Sequence, residues 1–186
     1  MSLPQVVGSA LLALGLAACG PMYYTPDGAD SSLMLHGYDP VAYFTAGQAT
    51  PGRTTLKAYH RGYAYRFASE EGRRRFVADP DRYVPQLGGF SAQGMVYAIP
   101  VAGEVQHFKI IADRLYLFDS ARARLYFEVD EARNLKLAHH YWETEVRGTP
   151  SWQYQAVKRL LIRVPHYRTD AELAADYEKK FGRKPD

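Results

Sequence analysis

The stretch LKAYHRGYAYRFASEEGRRRFVADP, residues 56–80, decides the fold class. Leu56, Ala58 and His60, then Tyr63, Tyr65 and Phe67, alternate on a period of two around His60-Arg61-Gly62, which is the pattern of a β-hairpin. Ser69 then opens a charged run. Glu70 and Glu71 come early in it and Arg73 to Arg75 late, matching the polarity of a helix dipole, and Asp79-Pro80 ends it. A hairpin followed directly by a short helix is therefore expected.

A second alternation runs from Val105 to Phe118, broken at Ala112-Asp113-Arg114, so Gln106–Ile111 and Leu115–Phe118 are expected to pair as another hairpin. After Ser120, a good N-cap, Ala121, Leu125, Val129, Ala132, Leu135, His139, Trp142 and Val146 recur at steps of three or four and predict one long helix. Gly148-Thr149-Pro150 breaks it, a helical pattern resumes from Trp152 to Val164, and Pro165 stops that. Thr169 and Glu172 have capping-box spacing, and Leu173, Ala174, Tyr177 and Phe181 form the stripe of a last helix ending at Gly182. Strands come early and helices late. The expectation is an α+β fold, a small domain of two β-hairpins and a short helix followed by a helical C-terminal extension, with no internal repeat in the residue pattern.

The 186 residues are 47% hydrophobic and 23% charged, which suits a globular core and excludes a disordered or polytopic membrane chain. A net charge of +3 is too small to argue for nucleic acid as a partner. The single Cys excludes a disulfide framework and a multi-cysteine zinc site. Val6 to Ala18 is an apolar, small-residue stretch too short to span a bilayer and suited to a signal-peptide core. It ends in Leu16-Ala17-Ala18-Cys19-Gly20, which resembles a bacterial lipobox with Cys19 as the lipid-attachment residue. This divides the chain into a signal peptide at 1–18, a lipidated tether at 19–32 rich in Pro, Gly, Asp and Ser, a domain at 33–147 and the extension at 148–186. The resulting expectation is an exported protein held to the membrane by its lipid anchor, with Gly20 favouring the outer membrane and the folded part facing the periplasm.

Leu35 to Gly94 resembles the YHS-domain family, in particular its bacterial members that open with GYDPVAYF. The residues that carry the resemblance include His36 to Phe44, Gly47, Pro51-Gly52, Tyr59, Gly62, Tyr65, Phe67 to Ser69, Phe76, Asp79-Pro80, Tyr83, Pro85 and Gly88 to Ala92. The family resemblance implies a small α+β module and an association with transition metals through cysteines. Here Ala42 and Ala68 stand at or next to the two cysteine sites, and Ser91 stands where related proteins carry a Cys. Alanine offers no lone pair to a soft metal, so the cysteine ligands implied by the resemblance are absent and no cofactor is evident.

Asp39, Tyr43, Tyr65 and Ser91 are the candidate ligand-binding residues, as polar tips over an aromatic floor. Purely structural roles for the same residues in turns and core are the competing reading. His36, His60, His139 and Glu143 are the candidate metal ligands, His139 and Glu143 lying at i, i+4 spacing. No catalytic constellation is present: Gln93 stands where a nucleophile elbow needs Gly, and no phosphate-binding glycine motif occurs. Lys158 to Arg163 mixes basic and apolar residues, either packing its apolar side on the domain or lying on anionic lipid. The functional expectation is an envelope-anchored, non-enzymatic binding or interaction module with an envelope protein or a small ligand as partner. The alternative is metal handling through His and carboxylate ligands.

Overall fold

The computed structural model describes residues 32–149 and 151–186. Two antiparallel hairpins, β1 (Arg53–His60) with β2 (Tyr63–Phe67) and β3 (Glu104–Ile111) with β4 (Arg114–Phe118), are joined to helices that dominate the C-terminal half, an α+β fold. Short helices α1 (Ala42–Thr45) and α4 (Ala92–Met95) precede the hairpins. Helices α2 (Glu70–Ala78) and α5 (Ala121–Val129) follow them, each with a serine N-cap: Ser69 accepts from the Gly72 N–H at 3.0 Å and Ser120 from the Ala123 N–H at 3.0 Å. The remaining helices are α3 (Pro80–Tyr83), α6 (Glu131–Tyr141) running into a π-helical turn at Trp142–Val146, α7 (Trp152–Leu161) and α8 (Asp170–Phe181). The Thr169–Glu172 capping box and the left-handed Gly182 of α8 are as the sequence predicts.

The structure contains a repeat that the residue pattern conceals. In both units a turn of positive-φ residues, Leu35 to Gly37 in one and Leu87 to Gly89 in the other, leads through a bridge (Tyr38 to Pro51, Phe90 to Ala102) into the short helix and the hairpin. The bulge falls at the same place in each ladder: pairing jumps from Arg53↔Phe67 to Lys57↔Arg66, and from Glu104↔Phe118 to Phe108↔Leu117. Both hairpin turns take two positive-φ residues, Arg61-Gly62 and Ala112-Asp113. Gly52 donates to the Gly37 carbonyl at 2.9 Å, and Gly103 to the Gly89 carbonyl at 3.2 Å. In each hairpin sequence and helix only Tyr65/Tyr116, Phe67/Phe118, Ser69/Ser120, Arg73/Arg124, Phe76/Phe127 and Asp79/Asp130 are identical.

The units stack. Leu115 and Leu117 on one face of β4 join the first core with Tyr43, Tyr65, Phe67 and Phe76, whereas Tyr116 and Phe118 on its other face join the second core with Met95, Phe127 and Trp142. Strand β4 is thus shared between the cores, and Leu115, Tyr116, Leu117 and Phe118 are all buried. The corresponding outer face of the first hairpin is polar, with Tyr59 72% exposed. At the other end Ala138, Trp142 and Val146 cover the second core, so helices close the stack where a third hairpin would otherwise lie.

The long helix expected from 121 to 146 is interrupted. Asp130 leaves helical geometry (φ −143°, ψ 67°), ends α5, and caps α6 through the Arg133 N–H. Asp79 makes the same break between α2 and α3. The buried face of α5 is consequently Ala123, Tyr126 and Phe127, while Ala121 is exposed and Leu125 half-buried. Among the described residues no helix is long and apolar enough to cross a membrane.

Candidate functional site

The repeat places Asp39 and Ser91 at equivalent positions, each just before its short helix, so the two lie in different units and not in one pocket. The backbone N–H of each is held alike, Asp39 by the Thr50 carbonyl and Ser91 by the Val101 carbonyl, both at 2.8 Å. Asp39 is 3% exposed and its carboxylate accepts from the Val41 N–H at 2.8 Å and the Ala68 N–H at 2.9 Å. Ser91 is fully buried; its hydroxyl donates to Asp119 Oδ1 at 2.5 Å and accepts from the Gly94 N–H at 3.3 Å. Tyr43 donates to the Val105 carbonyl at 3.0 Å, tying the first unit to the second, and burial raises its pKa well above the usual phenol value. Tyr65 packs its ring on Phe76 at 4.8 Å. Asp39, Tyr43 and Tyr65 belong to the first unit, where the two tyrosines share one core, and Ser91 belongs to the second.

Each unit has a cavity at the N-terminal end of its capped helix. The first, about 200 Å³, is lined by Asp39, Ser69, Gly72 and the ion-paired Glu71 and Arg75. The second, about 220 Å³, is richer, because α8 and the residues before it supply a further wall. Gln93, Asp119 and Ser120 line its inner part, Tyr97, Tyr126 and Tyr167 its sides, and Arg122 and Arg168 carry positive charge at its edge. Arg122 lies 3.8 Å from Asp170 and Arg168 2.8 Å from Asp176. Tyr126 donates to Asp170 Oδ1 at 3.1 Å. Burial raises the Tyr97 and Tyr126 pKa values, opposed at Tyr97 by Gln93 and Arg168 and reinforced at Tyr126 by Asp170. A neighbouring cavity of about 400 Å³ shares Tyr97, Tyr126, Arg168 and Leu173 as lining and adds His166 and Asp176.

Gln93 stands out in this site. It is 6% exposed, and its Oε1 is buried without a hydrogen-bond partner. An unmet buried acceptor costs about 1–3 kcal/mol, so a polar cavity beside one has the chemistry of a donor-binding site. Sequence reasoning noted Gln93 only as the residue that spoils a nucleophile elbow. Its burial depends on the second unit and on α8 together, which no local pattern reveals.

The metal candidates are dispersed. His60 Nε2 lies 2.8 Å from Asp81 Oδ1, which shares that carboxylate with Arg61. His139 Nε2 meets the Tyr116 hydroxyl at 2.8 Å, while Glu143 pairs with Arg147 at 3.0 Å. His36 is exposed in the first positive-φ turn. Among the described residues no group of three or more His, Cys, Asp or Glu side chains could hold a metal ion. Cys19, the signal stretch and residues 19–31 of the tether lie outside the described residues. No protein-family model matches the chain, and neither the curated proteins nor the solved structures contain a significant match.

Proposed function

We propose that the protein is an exported, lipid-anchored binding module with two YHS-like units, the second of which takes a small polar ligand without covalent chemistry. The observation that carries the binding reading is the unpartnered Gln93 Oε1 beside the cavity it shares with Asp119, Tyr97 and Tyr126. Acceptors at the inner end select a ligand with N–H or O–H donors, and the tyrosine walls suit a compact apolar or ring-shaped body. The anchor rests on the lipobox-like Leu16 to Gly20 and the YHS assignment on the His36 to Phe44 motif and the residues after it. Metal handling by His and carboxylate has no comparable observation behind it.

The test is mass spectrometry of small molecules released from the purified full chain, compared with Gln93→Leu. Leucine removes the unmet acceptor together with the Gln93 bond to Tyr97, so it should abolish the released ligand while the protein still melts cooperatively. A folded Gln93→Leu protein with an unchanged complement of released molecules would overturn the reading.

A further inference from the structure

We propose that the Gln93 cavity takes a compact organic ammonium ion, a primary amine whose N–H donors are accepted by Gln93 Oε1 and the Asp119 carboxylate. The inference rests on the binding reading of this cavity and names the charge of its ligand, which that reading leaves open.

Two acceptors line the cavity with capacity to spare. Gln93 is 6% exposed and its Oε1 is buried without a partner. Asp119 Oδ1 accepts the Ser91 hydroxyl, and among the described residues no other donor and no cation meets this carboxylate. A carboxylate has about four lone-pair sites, so one hydrogen bond leaves most of them for a ligand. The two acceptors are fixed by one short piece of chain, because Gln93 lies two residues after the Ser91 that holds Asp119.

The arginines at the edge do not supply the missing charge. Arg122 lies 3.8 Å from Asp170 and Arg168 2.8 Å from Asp176, with the arginine side chains 52% and 43% exposed, so each positive charge is paired and screened by water. Arg133, in the neighbouring cavity, has Asp130 in the same lining. Asp119 is therefore the carboxylate of this site left without a counter-ion. An anionic ligand would face both Asp119 and Asp170, and the start of α5 beside them is already capped by Ser120 on the Ala123 N–H. A neutral ligand would satisfy Gln93 and leave the charge of Asp119 unmet. An ammonium ion satisfies both. Tyr97 and Tyr126 line the same cavity, and aromatic walls add to the attraction of an organic cation. The volume of about 220 Å³ lies below the ~300–1,000 Å³ of sites for drug-sized ligands, which limits the amine to a small body.

The test is a ligand-observed NMR titration of the purified full chain with four probes built on one ring: benzylamine, benzyl alcohol, benzyltrimethylammonium and benzoate. The first has both donors and positive charge, the second a donor without charge, the third charge without a donor, and the fourth neither. Benzylamine should bind at least tenfold more tightly than each of the others, a factor of about ten being the advantage of a charge-assisted hydrogen bond over a neutral one. Asp119→Asn keeps an oxygen for the Ser91 hydroxyl and should weaken benzylamine about tenfold. Asp113→Asn removes the same charge from the exposed turn of the second hairpin, where Asp113 pairs with Arg82, and should leave the titration unchanged. Melting curves establish that each variant folds; should Asp119→Asn not fold, the ranking of the probes on the parent decides. The proposal is overturned if benzylamine does not bind, if benzyl alcohol or benzoate binds as tightly, or if folded Asp119→Asn binds benzylamine undiminished. A neutral molecule released from the parent and missing from Gln93→Leu would overturn the ammonium ligand while leaving the binding reading intact, so the two fail separately.

Discussion

Asp39 and Ala68 exchange chemical roles with Ser91 and Asp119: the acceptor that sits before the short helix in the first unit sits after the last strand in the second. In the first unit the Asp39 carboxylate takes the Ala68 N–H at 2.9 Å; in the second the Ser91 hydroxyl donates to the Asp119 carboxylate at 2.5 Å. One carboxylate at this junction therefore satisfies each unit from either side. Each carboxylate lines the cavity of its own unit, Asp39 in the first and Asp119 in the second.

This relationship predicts a strong coupling. Ser91→Asp alone places two carboxylates against each other in a buried site and is expected to cost about 3 kcal/mol or more at pH 7. Ser91→Asp with Asp119→Ala rebuilds the arrangement of the first unit and is expected to come within about 1 kcal/mol of the parent. Urea denaturation of the two singles and the double gives the coupling energy; additive effects would refute the equivalence.

The glycines before the hairpins give a second test. An added Cβ at Gly103 would lie 2.5 Å from Leu117 Cβ and 2.7 Å from the Gly89 carbonyl, and one at Gly52 would lie 2.6 Å from the Arg66 backbone. Both contacts involve atoms that cannot swing away, so Gly52→Ala and Gly103→Ala are each expected to cost about 3 kcal/mol. Gly148→Ala meets nothing within 4 Å and should fall within about 0.5 kcal/mol of the parent. Thermal melts of the three variants decide this.

Much of the local structure was legible because it obeys local rules. The alternation around Arg61-Gly62 and Ala112-Asp113, the serine caps of α2 and α5 and the Thr169–Glu172 box are short-range signals, and the elements form where those signals stand. The repeat was not legible because what the units share is backbone: positive-φ turns at chemically unlike residues such as His36 and Gly88, and equivalent strand positions that carry Arg66 in one unit and the buried Leu117 in the other. The break at Asp130 was hidden by apolar spacing that continues across it. The α7 orientation was hidden for the opposite reason, since amphipathicity alone assigns the apolar side to the core, and only the distant Glu145 and Ala98 partners reverse it. The cavity beside Gln93 likewise needs α8, about 80 residues away, to exist.

Glu145 should govern how firmly α7 is held. Burial alone would raise its pKa, but hydrogen bonds from Lys158, Gln155 and Arg159 outweigh that and hold the carboxyl below the usual range. A folded-state pKa below the unfolded one gives stability that is present above the unfolded value and is lost as pH falls through the folded value. Amide protection factors across 152–161, corrected for the intrinsic rate at each pH, are therefore expected to fall in acid before those of the two hairpins. Glu145→Gln leaves the buried Arg159 without its counter-charge and should cost about 3 kcal/mol at pH 7. Equal protection of α7 in the parent at neutral and acid pH would rule this out.

His139 should act in a milder range of pH. Partial burial lowers its pKa, and Glu143 opposes this only in part, because that carboxylate is also engaged by Arg147. The neutral ring accepts the Tyr116 hydroxyl on Nε2, joining α6 to β4 across the second core. Protonation must occupy that nitrogen, so the bond survives only if the tyrosine reverses its role. With the folded pKa below the unfolded value of about 6.5, the unfolded chain binds more protons between the two, and stability falls as pH drops through that window. Melting temperatures measured from pH 7.5 to 5 should decline more steeply for the parent than for His139→Asn, which cannot be protonated and keeps an acceptor near Tyr116. Parallel curves would mean that the ring gains no charge penalty on folding.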